Sequence, residues 1–299
     1  MADFANADPA ELARALATND NYRIVKRYQK PEQYAPLPEN RESVKTGVYL
    51  DVETTGFDHE SNHIIELAMV KFTFSSDGTL FRLGEEYDEL NDPGVPIPDE
   101  ITRITGITDE MVEGEKFDAN AIEAFIADAS ILVAHNANFD RKFVEASFPF
   151  FASKAWACSV SQINWRDAGF ESAKLEYLAY RQGFFYSGHR AVTDCLAGIH
   201  VLSYEIDGKP ALAQLLETAR LKGFRLWAAN APFESKDLLK ARGYRWNSGE
   251  DGKPKAWYKD LGSDELEAEQ KHLATNVYGG KRQLPVDTIN AFNRFSTRI

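Results

Sequence analysis

Cysteine is nearly missing from this 299-residue chain. Cys158 and Cys195 are the only two, too few for a disulfide framework or a cysteine-based zinc site. No run of about eighteen apolar residues occurs, so no membrane span and no membrane partner are expected. The opening stretch MADFANADPAELARALATND has neither an apolar core nor a cluster of positive charge. No secretory signal is expected from it, and the expected location is the cytoplasm. Positive charge is in deficit, with 34 Lys+Arg against 46 Asp+Glu and a net charge of −12. That balance argues against a sequence-independent nucleic-acid coat, which needs a basic surface. It does not argue against an enzyme that grips phosphates through metal ions, because such ions take carboxylate ligands. Internal repeats and low-complexity tracts are also absent.

What remains reads as alternating strands and helices. DPAELARALA (8–17) has an Asp N-cap and Pro at the first helical position, which predicts a short helix. YQKPEQYAPLPEN (28–40), with three prolines, reads as an extended linker. Strands are expected at 46–53, 63–73 and 79–88, then a loop-rich crossing over 91–112 with a short helix near its end. A helix at 118–130, a buried strand at 131–137, a helix from about 139 to 147 and a strand near 155–160 follow, then helices at 172–183 and 189–205. Hairpin-type strands followed by alternation predict a mixed α/β sheet flanked by helices.

The composition shifts near Ala219. From there to Leu261 ten basic residues face five acidic ones, which leaves −17 for the rest of the chain, and three of the five tryptophans lie in this stretch. It reads as a small separate α+β module. The expected division is an N-terminal helix and linker over 1–45, a main domain over 46–207, and a connecting helix plus C-terminal module over 208–299.

One short stretch conflicts with its own pattern. VYLDVETTGFD (48–58) reads as a strand entering the core, yet Asp51 and Glu53 stand two residues apart and therefore point to one face. Burying two like charges together is costly unless something positive neutralises them. If that something is a metal ion, further acids should arrive from other buried elements, and two do. ILVAHNANFDRKFV (131–144) is a buried strand running into a helix whose first turn carries Asp140. GHRAVTDCLAGIHVL (188–202) is a helix whose apolar face borders Asp194, with His189 five residues earlier. Each residue alone has a bland alternative: Asp140 favours a helix N-terminus electrostatically, His189 suits a cap or the surface, and Asp194 suits a half-exposed helix position. Their joint occurrence is what points to a site.

The three segments VYLDVETTGFD, ILVAHNANFDRKFV and HRAVTDCLA resemble the three motifs of the DEDDh group of 3′→5′ exonucleases, which includes RNase T and the proofreading epsilon subunit of the bacterial replicative polymerase. The resemblance covers about 46 to 205, with ITGITDEMV between the first two motifs also fitting. It implies a ribonuclease H-like sheet, three antiparallel strands continued by parallel ones. It implies that Asp51, Glu53, Asp140 and Asp194 bind metal and that His189 is the histidine of the group's last letter; the tyrosine of the sister group would fall at Arg190. Thr54, Thr55, Gly56 and Phe57, with Phe139, fall where the family cradles the terminal nucleotide. Ile104 and Thr105 fall where epsilon subunits place an apolar residue and a histidine, so Thr105 departs from the pattern.

The chemistry asks for such residues. Phosphodiester cleavage needs an attacking oxygen, neutralised phosphoryl charge and a stabilised leaving oxygen, and two divalent ions about 3.5–4 Å apart provide all three. Mg²⁺ or Mn²⁺ would be held by the four acids, and a neutral His189 would accept the proton of the nucleophilic water. The expected activity is a metal-dependent 3′→5′ exonuclease releasing nucleoside 5′-monophosphates. The partner is a nucleic acid with a free 3′ end, single-stranded DNA being favoured and RNA left open. QLLETARL (214–221) matches a clamp-binding segment poorly and reads as a helix. Polymerase association is therefore not expected, and a stand-alone enzyme of repair or end trimming is. LLKARGYRWNSGEDGKPKAWYKD (238–260) interleaves basic and aromatic residues in an expected hairpin at 242–246 and 255–259, which suits either single-strand binding or a small core with a solvated rim. An amphipathic helix is expected in the tail 264–282. The rival classes are a catalytically silent nucleic-acid-binding adaptor on the same fold and a phosphodiesterase of very short oligonucleotides. Oligomeric state stays open.

Overall fold

The computed structural model describes residues 8–299. Helix α1 spans Pro9–Ala17, and Asp8 caps it by accepting from the Ala10 N–H at 3.0 Å. A two-residue strand β1 (Lys26–Arg27) follows. The main sheet starts with β2 (Lys45–Thr54), β3 (Ile64–Phe74) and β4 (Leu80–Leu90). Three helices cross over its end: α2 (Asp99–Thr105), α3 (Asp109–Val112) and α4 (Ala119–Ile126). Then come β5 (Ile131–Ala134), α5 (Ala137–Ser147), β6 (Trp156–Cys158), α6 (Leu175–Arg181), β7 (Phe184–Phe185) and α7 (Ala191–Leu202). A tiny hairpin, β8 (Glu205–Ile206) and β9 (Lys209–Pro210), leads into α8 (Ala211–Arg220).

The five main strands lie in the order β4-β3-β2-β5-β6. The pairs β4–β3 and β3–β2 are antiparallel, and β2–β5 and β5–β6 are parallel. This is the ribonuclease H-like sheet that the motifs implied. Because side chains alternate along a strand, β2 sends Tyr49 into a core shared with α6, α7 and α8, and sends Val48, Leu50 and Val52 into a second core shared with α4 and α5. Asp51 and Glu53 keep step with Tyr49 and so belong to the α7 side. The helix α7 comes unusually near. A Cβ on Gly198 would lie 2.2 Å from Cζ of Tyr49, so only glycine lets the helix backbone rest on β2 at that height.

The 28–40 segment is irregular, as expected of a linker, yet it is docked. The Tyr34 N–H donates to the Phe81 carbonyl at 2.7 Å, and Tyr28 and Tyr34 pack on the first core. The 91–112 crossing carries two short helices where one was expected. Beyond α8 the chain forms β10 (Gly223–Ala228), α9 (Lys236–Ala241), β11 (Arg245–Trp246), β12 (Trp257–Gly262), α10 (Leu266–Asn276) and β13 (Val286–Ile289). The expected hairpin is β11–β12, within a four-stranded antiparallel sheet of order β11-β12-β10-β13. Its apolar face packs with Leu239, Leu273 and Val277 of the adjoining helical segments into a separate core. We propose dividing the chain after α8 rather than at 207/208, because Leu212, Leu215, Leu216 and Ala219 are buried in the main domain's core. Among the described residues no helix is long and apolar enough to cross a membrane.

Candidate metal centre

β2 runs antiparallel to β3 on one side and parallel to β5 on the other. In open α/β sheets such a switch point, at the carboxyl ends of the strands, is where ligands sit. Asp51 and Glu53 stand at that end of β2, α5 starts just after β5, and the first turn of α7 faces them across the α7 side. One carboxylate oxygen from each of Asp51, Glu53 and Asp194 lies within 4.8 Å of the others. Asp140, in the first turn of α5, is only 3% exposed. It borders this trio without belonging to it.

The electrostatics are those of an unneutralised cluster. Burial, then the charges of Asp140, Asp194, Glu53 and Glu66, push Asp51 well above the ordinary carboxylate range. Burial, then Asp194, Glu66 and Asp140, push Glu53 to about 8, against an opposing pull from Arg190. Burial raises Asp140 to about 7 despite its backbone hydrogen bonds. Burial also raises Asp194 to about 6, although the Tyr186 hydroxyl donates to it at 3.1 Å and the His189 N–H at 2.8 Å. Burial and mutual repulsion disfavour the charged form of carboxylates crowded this way, and a hard divalent ion with oxygen ligands would offset both.

His189 precedes α7 with φ +64°, a left-handed backbone that glycine usually adopts. Its main-chain N–H, not its ring, meets Asp194. The imidazole is about half exposed, and its Nε2 lies 3.8 Å from the Glu176 carboxylate. The structure thus places the histidine on the rim of the acids. Phe57 is 87% exposed and meets Phe139 edge-on at 6.4 Å between ring centroids. Thr54 and Thr55 are buried: the Thr54 hydroxyl donates to the Gly56 carbonyl at 2.6 Å, and the Thr55 hydroxyl accepts from the His63 N–H at 3.0 Å. These hydroxyls build the turn. A Cβ on Gly56 would lie 2.6 Å from the Asn62 side chain, so the turn closes on that position. Ile104 is exposed, whereas Thr105 is buried, with its hydroxyl donating to the Ile101 carbonyl at 3.0 Å and accepting from the Ile107 N–H at 3.1 Å.

Sequence reasoning missed Glu66, which lies directly opposite Glu53 in the β2–β3 register. It is fully buried, and it accepts from Arg190 Nε at 2.9 Å and from the Ala191 N–H at 3.0 Å. It therefore fastens the turn bearing His189 and the start of α7 to the sheet. The available signal was an acid inside the apolar run HIIELAMV. Glu66→Ala should lower stability by about 1–3 kcal/mol through the two donors it orphans, whereas Glu66→Gln keeps an acceptor there. Thermal melts of the two variants check this, and equal loss in both would remove the proposed fastening role. His135, within the second motif, is a half-buried strut between Ser159 Oγ at 2.8 Å and the Ala173 carbonyl at 2.7 Å, and loss of solvent around the ring lowers it to about 4.

A family model described as an exonuclease, RNase T type, matches residues 48–202, just over half of the chain. Among curated proteins, the DNA polymerase III PolC-type of Halalkalibacterium halodurans is 41% identical over 104 residues, 34% of this chain and 7% of that protein. The PolC-type polymerase of Streptococcus pyogenes serotype M1 is 38% identical over 120 residues, 40% of this chain and 8% of that one. The chain spans less than a tenth of the length of either relative. Among solved structures, E. coli Exonuclease I in complex with an oligonucleotide superposes with a TM-score of 0.47 at 17% identity, covering 73% of this chain and 63% of that one. Exonuclease X in complex with 5′ overhanging duplex DNA superposes at 0.40 and 22% identity, covering 56% and 99%.

Proposed function

Since the chain belongs to the RNase T-type exonuclease family, whose model spans residues 48–202, we propose that it is a divalent-metal-dependent 3′→5′ exonuclease acting on single-stranded DNA. The observation that carries this reading is the convergence of Asp51, Glu53 and Asp194 within 4.8 Å at the mouth of the sheet, with buried Asp140 beside them. Four acids and no soft ligand suit Mg²⁺ or Mn²⁺. When bound, such ions neutralise phosphoryl charge and lower the pKa of water. Asp51, Glu53, Asp140 and Asp194 would hold them.

The chain's own residues supply the rest. The exposed Phe57 and its neighbour Phe139 offer a face against which the terminal base can stack. The Tyr186 hydroxyl and the His189 N–H fix the orientation of Asp194. From the rim, the His189 ring in its neutral form accepts the proton of the attacking water. Water oxygen bonds to phosphorus, the bond from phosphorus to the 3′ oxygen of the preceding nucleotide breaks, that oxygen takes up a proton to become the 3′ hydroxyl of the shortened strand, and a nucleoside 5′-monophosphate leaves. The relatives at 38–41% identity are DNA polymerases by description, which favours DNA over RNA.

Matched 5′-labelled DNA and RNA oligonucleotides, incubated with Mg²⁺ or Mn²⁺ and with EDTA, test this. A ladder shortening from the 3′ end, faster on DNA and absent in EDTA, is expected. Binding of both without shortening would favour the adaptor instead.

A further inference from the structure

Between the main domain and the C-terminal sheet lies a cleft of about 870 Å³. Its two walls are held in place by a buried side chain. The Arg141 guanidinium is fully buried and donates to the carbonyls of Phe292 and Arg294 at 2.7 Å each and of Ala291 at 3.3 Å, while its Nε pairs with Glu145 at 2.6 Å. The Trp156 N–H adds a bond to the Ala291 carbonyl at 2.8 Å. The segment after β13 is thus stitched to α5 and β6, and the small sheet has a fixed place beside the candidate site.

The cleft starts next to the acids. His59 continues the turn that carries Phe57, and Asn138 is two residues from Asp140 on the first turn of α5; both line the cleft. The opposite wall is the polar face of the small sheet. There two guanidiniums lie over the Tyr258 ring, Arg225 at 4.4 Å and Arg245 at 5.0 Å from its centroid, with the buried Trp227 tilted beside it at 5.1 Å.

Its charge runs against that of the whole chain. Six basic and four acidic side chains line the cleft, whereas the chain carries −12. Arg225 and Arg245 both spend charge on Asp260, at 2.7 and 3.2 Å. Lys142 on α5 and Lys222 between α8 and β10 are different: among the described residues neither side chain holds a hydrogen bond or ion pair. Lys142 also acts across the cleft on Lys253, whose ammonium burial, together with the nearby charges of Arg225 and Lys142, holds below its usual range against the pull of Asp251. Positive charges brought together without a full set of counter-charges fit a polyanion.

We propose that this cleft is the track for the unpaired strand behind the 3′ end, with the C-terminal module as its second wall. The proposal rests on the reading of the acids as the 3′-terminal site. The exposed Arg245 guanidinium offers a face to stacked bases of any sequence, and lysines meet the phosphates.

The test is equilibrium binding of a fluorescein-labelled dT16 in EDTA, where no cleavage occurs, to wild type and to the Lys142→Gln/Lys222→Gln variant across a salt series. Each lost phosphate contact should lower the slope of log K against log[salt] by about 0.7, so a drop of about 1.4 and several-fold weaker binding at low salt are expected. The melting temperature should not move, since neither lysine has a partner to lose. An unchanged slope and affinity, or no binding by wild type, would overturn the track. Hydrolysis of the p-nitrophenyl ester of thymidine 5′-monophosphate with Mn²⁺, which reaches only the acids, should be equal in both proteins. If wild type fails to cleave that ester, the hydrolase reading falls, while the salt slope still decides the track.

Discussion

Replacing Asp51 with asparagine should cut turnover by on the order of 10³-fold, the scale of losing a charge-stabilising group from a preorganised site, and should also raise the melting temperature of the metal-free protein. The two effects have one cause. Asp51 is ringed by Asp140, Asp194, Glu53 and Glu66, and burial plus their charges already drive its carboxyl toward the protonated form. Asparagine keeps the shape and removes the repulsion, at the expense of one proposed metal ligand. A gain of a few degrees is expected, at about 2–4 °C per kcal/mol for a domain of this size. Residues kept for packing lose stability when changed, and residues kept for function often gain it. Thermal melts in EDTA at pH 8, alongside the labelled-oligonucleotide assay, read both effects. Asp140→Asn is the contrast, because burial rather than neighbouring charge leads its shift, and relieving repulsion there should gain less. An Asp51→Asn protein that is inactive and also less stable would make Asp51 a structural residue.

The main sheet was legible because β2, β3, β5 and β6 run largely apolar, and because Gly, Pro and Asp lie in the turns after β2, β3 and β4. β2 was expected at 46–53 and lies at Lys45–Thr54, and β3 was expected at 63–73 and lies at Ile64–Phe74. The small sheet was half legible. β11 and β12 are joined by a Gly-rich turn that shows in the sequence, whereas β10 and β13 pair with partners far along the chain. β10 finds β12 through Arg225↔Asp260 and Trp227↔Tyr258, and β13 through Leu226↔Val286. Nothing local marks such pairings, since their stabilisation comes from tertiary contact. The docking of 28–40 escaped for the same reason: prolines report an extended backbone and say nothing of what it lies against.

At the candidate site, period-two alternation put Asp51 and Glu53 on one face, and the structure has Asp194 facing them. What spacing could not give was orientation. His189 meets Asp194 through its backbone because a left-handed turn precedes α7, and no residue type announces that conformation when the residue is not glycine. The threonines after Glu53 present the same difficulty, because a hydroxyl that builds a turn and one that faces a nucleotide read alike in sequence. Glu66 was hidden by strand pairing, as only the register places it opposite Glu53.

Metal-free protein should lose stability as pH rises from about 6.5 to 8.5, and saturating Mn²⁺ should remove that loss. Glu53 at about 8, Asp140 at about 7 and Asp194 at about 6, together with the raised Asp51, all lie above the ordinary carboxylate values near 4. The folded state therefore holds these protons more tightly than the unfolded chain does. Their contribution is complete below about pH 4 and is lost as pH climbs through the folded values. Half-buried His135, lowered to about 4, and His200, also lowered by burial, act in the opposite sense. Folding keeps them neutral, so they add stability as pH rises, but only up to the ordinary histidine value of about 6.5. Above that value the carboxylates act without this opposition, at about 1.4 kcal/mol per pH unit for each full proton. A divalent cation competes with the same protons, so its affinity grows with pH, and at a hundred times its dissociation constant it adds about 2.7 kcal/mol. Melting temperatures in EDTA should thus fall across the window, and the increment from Mn²⁺ should widen steadily from pH 6.5 to 8.5. The Asp51→Asn protein should show a shallower fall and a smaller increment, because one of the competing carboxylates is gone. A flat profile in EDTA together with no Mn²⁺ increment would mean that these acids are neither repelling one another nor holding metal, and the reading of the site as a metal centre would go with it.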